Sequence, residues 1–231
     1  MALGAVLLLA ALALFAANRL EERKATEAVE RLMPQLVQRI EENRQTDTMP
    51  EAASATAPAA DRAADPGPEA AESVPETTAP AVTAVDAVTI APILPEAVPS
   101  KMTVAVIDGY GYIGYLSLPT LGLELPVMEA WDYDRLKLAP CRYAGTTMGD
   151  DLVIAAHDYA RHFGRLEELA PGDAVTFTDM NGRVVQYTVT AVDVLAPTQI
   201  SDMTAGAYDL TLFTCTYDGR NRFTVRCDRA V

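Results

Sequence analysis

Asp209-Leu210-Thr211-Leu212-Phe213-Thr214-Cys215-Thr216 decides the reading of this chain. β-Branched and apolar residues dominate it and Tyr217-Asp218-Gly219 follows as a turn, so it reads as a β-strand with a cysteine at its exit. A strand end holds a side chain rigidly and leaves it accessible. Working outward, Arg222-Phe223-Thr224-Val225 opens the strand after the turn, and upstream Asp151-Leu152-Val153-Ile154-Ala155-Ala156-His157 is a strand that ends in a histidine. Taken singly, a strand cysteine is more often a small buried hydrophobe. A thiol, an imidazole and a guanidinium, each at or near a strand end, point to cysteine acyl-transfer chemistry.

Strand alternation puts Thr211, Phe213, Cys215 and Tyr217 on one face of their strand, and Arg222, Thr224 and Arg226 on one face of the partner. A four-residue loop at 218–221 sets Tyr217 opposite Arg222 and Cys215 opposite Thr224. Cys215 and Arg222 are then diagonal neighbours, about 7–8 Å apart at the backbone. Arg220, in the turn, and Arg226, farther along, are weaker candidates. In this reading Cys215 attacks a peptide carbonyl and forms a thioester. His157 protonates the leaving amine and then takes a proton from the incoming one. Arg222 donates hydrogen bonds to the oxyanion or to substrate carbonyls. Asp158 follows His157 but points to the other face. His162 reads as a helix-surface or groove-edge residue. No cofactor or metal is expected, and no cluster of acidic residues marks a calcium site.

Thr211-Leu212-Phe213-Thr214-Cys215 resembles the Thr-Leu-x-Thr-Cys motif of the sortases, cysteine transpeptidases of Gram-positive cell surfaces. The similarity runs in order through the histidine strand, a helix at 163–169, Pro171-Gly172-Asp173, Tyr187-Thr188-Val189 and Arg222. Ala156 departs from it, many members having Gly before the histidine. The resemblance implies an eight-stranded β-barrel and selects Arg222 as the arginine of the site. It also implies the substrates: a surface protein with a C-terminal Leu-Pro-x-Thr-Gly-like sorting signal, and an amine acceptor on a cell-wall precursor or a pilin lysine. The subclass stays open, although the loop at 196–207 lacks room for the long helix of class B sortases. A cysteine hydrolase on the same scaffold and a catalytically dead, membrane-tethered binding module are the alternatives. An L,D-transpeptidase is disfavoured, because the Ser-His-Gly-Cys-x-Arg motif is absent.

The remaining punctuation fits a β-rich domain. Strands are expected at 112–118, 122–127, 174–179 and 183–194, the last two joined at Asn181-Gly182. A short helix with an acidic start is expected at 132–136 and a longer one at 160–169. Many short strands with few helices indicate a small closed β-barrel or sandwich.

The 231 residues carry a net charge of −14, which argues against a nucleic-acid partner. Residues 2–17 are an uncharged apolar run, and residues 1–20 are expected to anchor the chain in the cell membrane as a single pass with the domain outside. Residues 21–44 are expected to form a solvated juxtamembrane helix, kinked or interrupted at Pro34. Between 45 and 100, alanine and proline supply 25 of 56 residues, with no aromatic, so 45–103 reads as a disordered linker and 104–231 as the catalytic domain. Cys227 reads as a buried structural thiol and Cys141 lacks any nucleophile context. A Cys141–Cys227 disulfide is left open, because sequence does not give the geometry it requires.

Overall fold

The computed structural model describes residues 2–48, 101–216 and 218–230. Nine strands form in chain order: β1 (Ala105–Ile107), β2 (Tyr110–Leu118), β3 (Leu123–Met128), β4 (Cys141–Ala144), β5 (Leu152–Ala155), β6 (Ala174–Asp179), β7 (Val184–Leu195), β8 (Leu210–Cys215) and β9 (Arg222–Arg229). They are ordered β1-β2-β3-β4-β5-β8-β9-β7-β6, and β2 also pairs with β6. That pairing closes β2 to β9 into the expected eight-stranded barrel, with β1 as an added ribbon on the start of β2. Gly114 marks the changeover. β2 pairs with β1 up to Tyr112 and with β6 from Gly114 on, and the register shifts between the two. Gly114 has φ +146°, and a Cβ there would lie 2.0 Å from the Thr178 carbonyl oxygen, so only glycine permits the bulge.

Period-two alternation sorts the strand residues. Leu152 and Ile154 of β5, Leu210 and Leu212 of β8, and Val225 and Cys227 of β9 point into the barrel core with Leu116 and Phe177. Val153, Ala155 and Phe213 point outward and cluster with Met203. Each fully buried Leu or Ile stabilises the fold by about 1.5–3 kcal/mol. The outward set is equally buried, so something outside the barrel covers it; that cover shapes the site described below.

Helix α2 (Tyr133–Leu136) forms where its acidic start was expected, and Asp132 caps it by accepting from the Asp134 and Arg135 amides. The helix expected at 160–169 is replaced by successive turns ending in a 3₁₀ turn, Leu166–Glu168. Phe163 and Leu166, three residues apart, both enter the core, and the Gly164 amide bonds back to the Tyr159 carbonyl. A helix α3 (Ile200–Thr204) forms inside the loop between β7 and β8.

The N-terminal segment departs most from expectation. A single helix α1 (Ala2–Thr48) runs through Pro34. Its second half is solvated on one face only. Ala25, Ala28, Val29, Leu32, Leu36 and Ile40 form a helical stripe buried against the domain. Val29 joins the barrel core, and Ala28, Leu32, Leu36 and Ile40 pack with residues such as Tyr112, Met128, Cys141 and Met180. Asn43 Nδ2 donates to the Met180 carbonyl at 2.9 Å. Among the described residues no helix is long and apolar enough to cross a membrane. The apolar run ends early, because Arg19, Glu21, Glu22 and Arg23 follow it directly. The expected linker at 45–103 falls mostly outside the described residues.

Candidate active site

Sheet register brings the three candidate side chains together. β5 and β8 are parallel neighbours, with Ala155 opposite Phe213. Two residues farther along their respective strands come His157 and Cys215. Adjacent strands lie about 4.8 Å apart, so imidazole and thiol leave the same end of the sheet side by side. The Ala156 amide donates to the Phe213 carbonyl at 3.2 Å, and Thr214 Oγ1 donates to the Ala156 carbonyl at 2.9 Å. The first bond continues the ladder past the end of β5, and the second, from a side chain, ties the residue before the histidine to β8.

On the other side of β8, Cys215 is the direct register partner of Arg222. The expected diagonal arrangement is therefore shifted by two residues. The shift preserves the shared face, because side chains alternate with period two. Its cause is a longer turn. The Thr216 amide donates to the Asn221 carbonyl, Thr216 Oγ1 donates to the Asp218 carboxylate, and the Asn221 amide donates to Thr216 Oγ1. Gly219, at φ +71°, takes the left-handed position in that turn. The expected Tyr217–Arg222 pair falls on a residue outside those described. Arg222 Nη1 donates to the Gly219 and Asn221 carbonyls at 3.3 and 3.0 Å, which brace the half-buried guanidinium at the rim.

His157, Cys215 and Arg222 all line one groove of about 160 Å³. Its lining is mostly apolar: Trp131, Tyr143, Phe213, Ile200 and Met203. Tyr143 meets Phe213 edge-on at 5.2 Å and leans against Trp131 at 5.4 Å. Asp158 faces away, as alternation requires, and lines a second depression of about 190 Å³ that Cys215 also borders. Partial burial and the nearby Glu167 carboxylate raise the Asp158 carboxyl above the usual range.

Of the three free cysteines only Cys215 is exposed. Burial pushes the Cys141 and Cys227 thiols up to about 12, so neither forms a thiolate near neutrality. Burial lowers the His157 pKa below its ordinary value of 6.5; Glu21 opposes that shift and Lys137 adds to it. Tyr159 stacks on the His157 ring, with centroids 4.9 Å apart and planes inclined by 25°. The Tyr159 hydroxyl reaches Glu21 of α1 at 3.5 Å, and the Ala160 amide donates to Glu22 at 3.1 Å.

One sequence expectation near the site does not hold. His162 is not at a surface. It is fully buried, neither ring nitrogen has a hydrogen-bond partner among the described residues, and burial lowers its pKa to about 4, with His157 contributing. Arg226, the weaker candidate farther along its strand, does not line the groove; it is 3 % exposed and hydrogen-bonded to Asp193, Thr211, Asp202 and Met203. Sequence reading passed over Tyr159 and the aromatic lining; the signal for Tyr159 was only its position two residues after the histidine. Among the described residues no group of three or more His, Cys, Asp or Glu side chains is placed to hold a metal.

A thiol flanked by an imidazole and a guanidinium beside an apolar groove is equipped to take an acyl group from an extended peptide. The chain matches the family model described as Sortase domain over residues 116–230. No curated protein matches it. Solved structures similar to it include sortase A from Corynebacterium diphtheriae, at 26 % identity and TM-score 0.49, covering 53 % of this chain and 62 % of that one. Sortase C1 from Streptococcus agalactiae is similar at 26 % identity and TM-score 0.49, covering 55 % and 71 %. Sortase C from Clostridium perfringens is similar at 23 % identity and TM-score 0.47, covering 52 % and 70 %.

Proposed function

The chain belongs to the sortase family of cysteine transpeptidases, its sortase domain spanning residues 116–230, and from that premise we propose that it cleaves a C-terminal Leu-Pro-x-Thr-Gly-like sorting signal and transfers the acyl part to an amine. The acceptor is an amine of a cell-wall precursor or a pilin lysine. The observation that carries this reading is the row His157–Cys215–Arg222 across β5, β8 and β9, at the edge of one apolar groove.

The three residues divide the work. The Cys215 thiolate attacks the scissile carbonyl carbon, whose oxygen takes up the negative charge. Arg222, braced across the ladder, donates hydrogen bonds to that oxygen or to the neighbouring substrate carbonyl. As the C–N bond breaks, His157 gives its proton to the departing amine. A thioester remains on Cys215. The acceptor amine attacks it, His157 takes the amine's proton, and the C–S bond breaks to return the thiolate. The lowered His157 pKa makes the imidazolium a readier donor to the leaving amine. The apolar groove suits the Leu-Pro part of the signal.

We infer attachment to the cell membrane from the exposed apolar turns of α1, including Leu8, Leu12 and Phe15; a domain outside the cell belongs to the same proposal, because the proposed donor and acceptor are surface molecules. A peptide-library cleavage assay tests the substrate. Enrichment of peptides cleaved between Thr and Gly within a Leu-Pro-x-Thr-Gly-like sequence is the expected result. Cleavage without sequence preference, or none, would remove the proposed substrate.

A further inference from the structure

Arg226 is a buried charge for which the transfer reaction has no use. Charged side chains are almost never fully buried unless paired, and this one is held from four directions. Nε donates to the Asp193 carboxylate of β7 at 3.2 Å, and Nη1 to Thr211 Oγ1 of β8 at 3.0 Å. Nη1 and Nη2 also donate to the carbonyls of Met203 and Asp202, at 3.3 and 2.9 Å. The Tyr208 ring covers the guanidinium, its centroid 5.3 Å from Cζ.

The last two acceptors give the arrangement its meaning. Asp202 and Met203 lie in α3, which has only five residues. The carbonyls at the end of such a helix have no partner within it and carry its negative pole. A guanidinium fork supplies both the donors and the charge, and a lysine could not span these acceptors at once. α3 in turn supplies Ile200 and Met203 to the groove beside Cys215. Met203 is also part of the cover over Val153, Ala155 and Phe213.

We propose that Arg226 is a positioning residue that fixes α3 against the barrel, so that Ile200 and Met203 form the groove wall that selects the donor peptide. This rests on the groove's being the donor-peptide site, as proposed above. Arg226 touches neither the scissile bond nor Cys215, so its loss changes peptide selection more than the chemical step.

The test uses the full chain with Arg226→Lys and Arg226→Gln, read by amide hydrogen exchange and by peptide-cleavage kinetics. Exchange across 200–204 is expected to accelerate while β8 and β9 stay protected. KM for a sorting-signal peptide is expected to rise roughly tenfold or more with kcat nearly unchanged, the scale of a lost charge-assisted hydrogen bond. Met203→Ala should add little to that rise in the Arg226→Lys background, because both act through one wall. Unchanged exchange, a loss confined to kcat, or fully additive KM effects would each overturn the proposal. Should both Arg226 variants fail to fold, Thr211→Val removes one acceptor at constant shape and must raise KM in the same direction; an unchanged KM there overturns it equally. A wild-type chain that cleaves no sorting-signal peptide would defeat the transpeptidase reading, whereas the exchange result would still show whether Arg226 holds α3.

Discussion

Arg222 stands directly across the β8–β9 ladder from Cys215. A side chain directly opposite lies about 4.5–5.5 Å away at Cβ, against 7–8 Å for a diagonal neighbour. The guanidinium therefore needs no extended rotamer to reach a group bonded to Cys215, and two turn carbonyls hold it there.

Arg222→Lys keeps the charge and loses the planar fork. It is expected to lower kcat/KM by roughly 10²–10³-fold, the scale of removing an oxyanion donor. Arg220→Ala, at an exposed turn position, should be mild. Steady-state cleavage of a sorting-signal peptide compares the two. Near-normal rates in Arg222→Lys would reduce its role to simple charge.

The stack of Tyr159 on His157 predicts a graded series. An aromatic pair contributes about 0.5–1.5 kcal/mol, so Tyr159→Ala should cost up to roughly tenfold in kcat. Tyr159→Phe keeps the ring and should stay near wild type. If the two variants were equally impaired, the Glu21 contact rather than the stack would orient the histidine.

Buried His162 predicts acid sensitivity of the fold. Its pKa is about 4 in the folded chain and 6.5 in the unfolded one. The unfolded chain thus binds the proton first as pH falls below 6.5, and stability is lost from there down to about 4. Between pH 7 and pH 5 the loss should be about 2 kcal/mol by that linkage. Urea denaturation of wild type and His162→Phe at both pH values checks it. The variant should lose this component; equal slopes would show that His162 is not the sensor.

The buried stripe of α1 predicts that the domain depends on its N-terminal helix. Leu36 is fully buried, and Leu36→Ala should cost about 2–5 kcal/mol of stability. A chain beginning near Lys101 should expose the uncovered surface around Tyr112 and Met128 and aggregate or bind hydrophobic dye. Cooperative unfolding of that shortened chain at wild-type stability would contradict the packing of α1.

Much of this was legible in the sequence because it is local. Alternation placed Phe213 and Cys215 on one face with Arg222, and Asn181-Gly182 marked the β6–β7 hairpin. Register within the β8–β9 hairpin was not legible. It depends on side-chain bonds of Thr216 and Asp218 that lengthen the turn, and composition does not distinguish a four-residue loop from a six-residue one. The burial of α1 was half visible. Its stripe has helical spacing, but the surface it covers is assembled from β1, β3 and β4, distant in the chain. The roles of Tyr159 and Arg226 were hidden for the same reason, since their partners lie on α1 and α3.

In the proposed reaction Cys215 carries the acyl group and hands it to an amine. Mass spectrometry of the protein incubated with a sorting-signal peptide, with and without an added amine, tests it most directly. A thioester adduct on Cys215, lost in Cys215→Ala, that converts to the amide of the added amine is the expected result. Product released only to water at every amine concentration, or an adduct that persists in Cys215→Ala, would contradict it.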